Sequence, residues 1–125
     1  MNLILIARRN PVRLLYPDLY EGCGGRLHWN ETFVDGVRRH YKTEMGLDVS
    51  VIEERHSFYE IRKRSFVIPG IRFVCYYLDG IADSKNHTEI RWVSEEQLLG
   101  IPEELFIPGV KQDFLNILGQ ENDNG

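Results

Sequence analysis

Residues 38–47 read RRHYKTEMGL, and three of their side chains could do chemistry together. Taken as the last turns of a helix, the stretch sets His40, Thr43 and Glu44 at i, i+3 and i+4, the spacing of neighbours on one helix face. That face carries one carboxylate and one imidazole. A carboxylate is a hard oxygen donor suited to magnesium, whereas an imidazole tilts a site towards manganese, zinc or another transition metal. The stretch therefore reads as a metal site short of acid, as a site running other chemistry, or as an ordinary solvated helix. Glu31, just ahead of the helix, either adds a carboxylate to a metal or pairs with Arg39 across the helix start. Arg39 has a second candidate partner in Asp35 at i, i+4. In the pair His28-Trp29, the Trp29 indole either stacks on a substrate ring or simply covers the loop.

These groups need elements to position them. LILIA is a short apolar run rich in β-formers and reads as a buried strand. Residues 8–25, RRNPVRLLYPDLYEGCGG, hold two prolines and end in glycines, so they read as loop with at most a short strand. From Thr32 onward Phe33, Val37, Tyr41 and Met45 form a helical stripe, and Gly46 is a natural stop. Gly36 inside that helix costs about 1 kcal/mol against alanine, so tertiary packing must hold it. LDVSVIEERHSFYEIRKR is extended, with IRKR at its end a solvated strand edge. IRFVCYYLDG is a strongly apolar strand, and Pro69-Gly70 should interrupt the two. TEIRWV is a further strand. Ser94 with Gln97 fits a capping box that opens a short helix ended by Gly100. GVKQDFLNIL puts Val110, Phe114, Leu115 and Leu118 on one helical face. Strands and helices mix, which makes the class α/β or α+β, a sheet covered by helices.

The chain of 125 residues suits one domain with a modest core. Residues 1–118 are expected to form it, with the polar tail GQENDNG, residues 119–125, flexible at the end. Apolar residues make up 42% and charged residues 27%, the balance of a globular chain. A net charge of −4 argues against coating nucleic acid. No apolar run approaches the roughly 18 residues that span a bilayer. MNLILIARR is too short and wrongly flanked for a signal peptide. Cys23 and Cys75 show no C-x-x-C spacing, so a reducing, cytoplasmic compartment is the expectation.

Read as a unit, GGRLHWNETFVDGVRRHYKTEMGL resembles the Nudix box, G-x5-E-x7-R-E-U-x-E-E-x-G-U with U a bulky apolar residue. Gly25, Glu31, Arg39, Tyr41 in place of the first U, Glu44, Gly46 and Leu47 fall in register. LILIARR looks like the strand that precedes the box, and HTEIRWVSEEQLL like the family's late strand and the helix after it. The resemblance covers residues 2–118. It implies a Nudix-like α/β/α sandwich around a mixed β-sheet, a nucleotide-derived substrate, and magnesium or manganese as cofactor. Hydrolysis of a nucleoside diphosphate linked to another moiety is the implied reaction. Divalent ions are needed there because the charge of a diphosphate repels nucleophiles.

The sequence departs from the box where its acids concentrate, with His40 and Thr43 in place of two glutamates. The GDP-mannose mannosyl hydrolase branch is similar in lacking those two acids. Its pattern implies one metal on Glu44, the carbonyl of Gly24 and the side chain of Asn86, with His87 as base and water attacking the sugar carbon. Arg8 and Arg9 fall where the family often contacts phosphate or base, or else form a plain surface pair. Two other readings stay open: a nucleotide-binding module without turnover, and a conventional pyrophosphatase in which Glu21, Glu53 or Glu54 substitutes. The family usually has a strand before LILIARR, so either the sheet is trimmed or a second copy supplies that strand, which makes a homodimer an expectation.

Overall fold

The computed structural model describes residues 3–22, 27–62 and 64–124. Strand β1 (Ile4–Arg9) is followed by a turn-rich loop and the two-residue β2 (Tyr20–Glu21). Helix α1 (Phe33–Met45) leads into a long hairpin of β3 (Asp48–Arg62) and β4 (Val67–Asp79). Strand β5 (His87–Val93), α2 (Glu95–Gly100), a 3₁₀ turn (Glu103–Leu105) and α3 (Val110–Asn124) complete the order. β2, β1 and β5 form one antiparallel sheet in that order, and β3 with β4 forms a second antiparallel pair. An isolated parallel bridge joins Tyr20 to Phe106.

Alternation along β1 divides the core. Ile4 and Ile6 face a cluster with Val93, Leu98, Phe106 and Leu118, which brings α2 and α3 onto one side. Leu5 and Ala7 face Met45, Leu47 and Val49, which brings the end of α1 and the start of β3 onto the other. Helices thus cover both faces of the sheet. Burying a side chain such as Ile6, Leu98 or Met45 fully is worth about 1.5–3 kcal/mol each.

Local signals account for the ends of the elements. Thr32 caps α1 by accepting the Asp35 amide at 3.1 Å. Gly46, at φ 69°, closes the helix in the left-handed region, with its N–H donating to Lys42 O at 3.1 Å. Ser94 and Gln97 make the reciprocal capping box of α2, at 2.9 and 3.1 Å.

One expectation is corrected. Pro69-Gly70 does not interrupt the strands: β4 passes through both, with Pro69 opposite Glu60 and Gly70 opposite Tyr59. Among the described residues β4 has one ladder partner, so a proline without an N–H is tolerated on its other side. The Tyr59 ring lies over Gly70 where a Cβ would stand, so the glycine makes room for a cross-strand aromatic. The same ring carries the Arg72 guanidinium at 4.1 Å from its centroid. Arg72 also pairs with Asp113, and Arg55 donates to Ile117 O at 2.9 Å, so the hairpin is tied to α3 twice.

Among the described residues no helix is long and apolar enough to cross a membrane.

Candidate active site

Two polar groups gather the residues with chemistry. The first is built on α1. Glu31 lies just before its cap, after Asn30 at φ 67°, a conformation that asparagine tolerates. Its carboxylate accepts Arg39 Nε at 2.7 Å and Arg39 Nη2 at 2.9 Å, and also the His28 amide at 2.8 Å. A two-pronged guanidinium–carboxylate pair fixes orientation as well as charge. The Arg39 guanidinium and the His28 amide hold the Glu31 carboxyl down at about 2, against an ordinary 4.5. The same pair pushes Arg39 above its usual value. Gly36 is buried because the Leu27 side chain and Glu31 Oε1 occupy the space its Cβ would take. That contact is the packing that the glycine inside the helix called for.

Further along the same helix, His40 Nδ1 lies 3.8 Å from Glu44 Oε1, and His40 Nε2 lies 3.4 Å from Arg39 Nη2. Arg39 can only donate, so Nε2 accepts, which leaves the imidazole proton on Nδ1 facing Glu44. The Thr43 hydroxyl donates back to Arg39 O at 2.8 Å within the helix. The face expected from residues 40, 43 and 44 therefore exists, with Thr43 turned to its own backbone.

The second group joins β1, β2 and β5. The His87 side chain is 3% exposed. Its Nε2 meets Glu21 Oε2 at 2.8 Å and its Nδ1 meets Ser84 Oγ at 2.7 Å. The Glu21 carboxylate only accepts, so Nε2–H donates to it; in the neutral ring Nδ1 then accepts the Ser84 hydroxyl, whose oxygen also accepts the Asn86 amide at 3.2 Å. Arg9 Nη1 donates to both Glu21 oxygens at 3.1 Å. Glu21 thus sits between a guanidinium and an imidazole, bound at close range to both. The register explains the meeting: β1 pairs with β2 on one side and with β5 on the other, and Arg9 stands opposite His87.

The other expected residues fall as follows. Arg8 donates to Asp18 through Nε and Nη2, at 3.2 Å to the backbone oxygen and 3.0 Å to Oδ2. Arg9 additionally holds Leu15 O at 3.1 Å, so both arginines fasten the loop after β1. Trp29 is 92% exposed. Asn86 is exposed, and its backbone oxygen accepts Asn10 N at 3.3 Å. Gly24 lies outside the described residues. Sequence reasoning did not place Ser84 in the site and met Glu21 only as a substitute acid. Their partner is 66 positions from Glu21, and no spacing within one segment signals such a pair.

Among the described residues no three or more His, Cys, Asp and Glu side chains gather to hold a metal ion. Glu31 has both oxygens engaged, and positions 40 and 43 offer no carboxylate. This donor set does not fit a cluster of several magnesium ions, which needs several hard oxygens on one side.

The sequence matches the NUDIX domain over residues 2–114. The chain belongs to the Nudix family. Its structure is similar to the crystal structure of the MutT protein from Methanosarcina mazei Go1. That comparison has a TM-score of 0.77 and 21% identity, and covers 94% of this chain and 83% of the other. It is also similar to the solution structure of the E. coli ORF135 protein, with a TM-score of 0.68 and 20% identity, covering 93% and 81%. At these identities the likeness speaks for the fold. Curated proteins give no match.

Proposed function

We propose that this chain is a hydrolase of a nucleoside diphosphate linked to another moiety, working with one divalent ion rather than a cluster. The observation that carries this reading is α1 itself. Its start is pinned by Glu31 and Arg39, its end is closed by Gly46, and Glu44 stands in its last turn beside His40. Glu44 and Asn86, with the carbonyl of Gly24, would hold the ion. The ion would be Mg²⁺ or Mn²⁺, and when bound it would neutralise charge on the diphosphate.

The remaining work falls to the chain's own residues. Glu21 accepts a hydrogen bond from His87 Nε2–H, which leaves Nδ1 as the acceptor nitrogen of the neutral ring. A water that displaces the Ser84 hydroxyl would meet that nitrogen and lose its proton to it. The resemblance to the mannosyl hydrolase branch is what points that water at a sugar carbon in a nucleotide sugar. Arg9, bound to both oxygens of Glu21, keeps that carboxylate oriented. Trp29, open to solvent, offers an aromatic face for a base or sugar ring.

A second reading is a nucleotide-binding module without turnover. It is favoured by the burial of His87 and the engagement of both its ring nitrogens.

Turnover in ¹⁸O-labelled water tests both. The panel comprises nucleotide sugars, ADP-ribose, dinucleoside polyphosphates and nucleoside triphosphates, each with magnesium and with manganese. Label in a released sugar is the expected result. Label in phosphate overturns carbon attack while keeping the hydrolase. Binding without turnover leaves the second reading.

A further inference from the structure

In the proposed hydrolysis the Ser84 hydroxyl only gives way to water, yet its surroundings are those of a nucleophile. Ser84 Oγ lies 2.7 Å from His87 Nδ1, and His87 Nε2 lies 2.8 Å from Glu21 Oε2. A hydroxyl within hydrogen-bond reach of an imidazole, itself oriented by a third group, is the arrangement that activates a weak nucleophile. Glu21 holds the ring proton on Nε2, so Nδ1 is left to take a proton from Oγ. The ring is turned end for end relative to the serine proteases, where the hydroxyl meets Nε2. Either nitrogen serves, because the one the acid does not hold becomes the base.

Other hydroxyls of the chain serve its backbone. Thr32 and Ser94 cap helices, and Thr43 bonds back to its own helix. Ser84 stands in the segment 80–86 between β4 and β5. There Asp83, Lys85 and Asn86 are exposed and Ser84 is half-buried, whereas the His87 ring is closed off from solvent. Of the pair, the hydroxyl is therefore the group that a molecule in solution meets, with the imidazole behind it. The Asn86 amide holds Oγ from another side at 3.2 Å. Arg9 fixes both oxygens of Glu21, so acid and imidazole are oriented before any substrate arrives.

We propose that Ser84 is a nucleophile with His87 as its general base, giving the chain a second activity, metal-independent hydrolysis of small activated acyl esters. Oγ bonds to the acyl carbon as its proton passes to Nδ1. Collapse of that adduct breaks the bond to the leaving oxygen, which takes the proton from Nδ1 and leaves the acyl group on Oγ. Water then attacks the same carbon and gives its proton to Nδ1, and Oγ leaves and takes that proton back. Lys85 and Asn86, the exposed residues that follow Ser84, bring donors to the anionic oxygen formed in between. No further reactant enters the cycle.

Labelling of the full chain with a fluorophosphonate in excess EDTA tests this, with peptide mapping to read the site and p-nitrophenyl acetate to read turnover. The single-ion hydrolysis proposed above needs a divalent ion and is silent under those conditions, so the two readings fail separately. The expected result is a phosphonyl adduct on Ser84, with Ser50, Ser57, Ser65 and Ser94 unlabelled. Release of p-nitrophenol is expected to fall at least about a hundredfold in both Ser84→Ala and His87→Gln. The peptide map of the native chain decides alone if a variant loses its fold. No adduct on Ser84 overturns the proposal, as does an adduct formed equally fast in folded His87→Gln. So does ester turnover that Ser84→Ala leaves intact, because Ser84 would then only close the turn into β5.

Discussion

Both oxygens of Glu31 are engaged inside the protein, and this gives the pair with Arg39 a pH signature. The Glu31 carboxyl is held at about 2 when folded against 4.5 ordinarily. A carboxyl whose folded value lies below its unfolded one binds fewer protons in the native state, so it stabilises the fold above the unfolded value. That contribution fades as pH falls from 4.5 towards 2. Urea midpoints of the native chain and Glu31→Gln should therefore differ near neutral pH and converge through that window. A gap that stays constant would mean the carboxylate's charge is not what matters. Glu44 is the residue on which the single-ion reading stands. Glu44→Gln is expected to weaken manganese binding by at least about tenfold in calorimetry. Unchanged affinity would remove Glu44 from the metal assignment, leaving a half-buried partner of His40.

At the scale of elements, the end of α1 and the end of β4 are locked through two glycines. Gly46 sits at φ 69° and Gly80 at φ 106°, and a Cβ on Gly80 would overlap the Gly46 carbonyl. Asp83 N donates to Met45 O at 3.1 Å beside them. Gly46→Ala places a Cβ in the left-handed region, at about 1–2 kcal/mol. Gly80→Ala meets the same conformational cost and a backbone collision as well, so it should destabilise more. Chemical denaturation of both variants measures the order, and equal effects would mean that the two backbones move apart easily. The junction bears on the proposed metal site because it fixes the helix turn that carries Glu44.

For the whole molecule, β1 is the hinge of the packing. Ile6 and Ala7 are neighbours in sequence yet belong to different core clusters on opposite faces of the sheet. Ile6 is fully buried, so Ile6→Ala should cost about 2–5 kcal/mol, read as a lowered denaturation midpoint. A loss under about 1 kcal/mol would mean that the cluster closes over the gap. The division also organises the candidate site. The strand that separates the clusters ends in Arg9, which lies between the loop after β1 and Glu21.

What the sequence determined by itself is local. Thr32, Gly46 and the pair Ser94 and Gln97 mark helix ends within a few residues of where their hydrogen bonds form, so type and spacing suffice to read them. Tyr41 and Met45 of the α1 stripe, the apolar runs of β1 and β4, the strand β5 and the register of Glu31, Arg39 and Glu44 are legible for the same reason, whereas Phe33 at the start of the stripe is exposed. Tertiary structure decided what lies across a gap. The passage of β4 through Pro69 and Gly70 depends on an edge position and on the ring of Tyr59, neither visible in the dipeptide. Both named partners of Glu31, Arg39 and the His28 amide, were within reach of sequence reasoning in position alone, while the choice of Arg39 needed the helix to be built. The meeting of Arg9, Glu21, Ser84 and His87 required the strand order β2-β1-β5. Periodicity tells which face of a strand is buried, but the neighbour opposite is chosen by how all the apolar faces are covered at once, and that choice belongs to the folded chain alone.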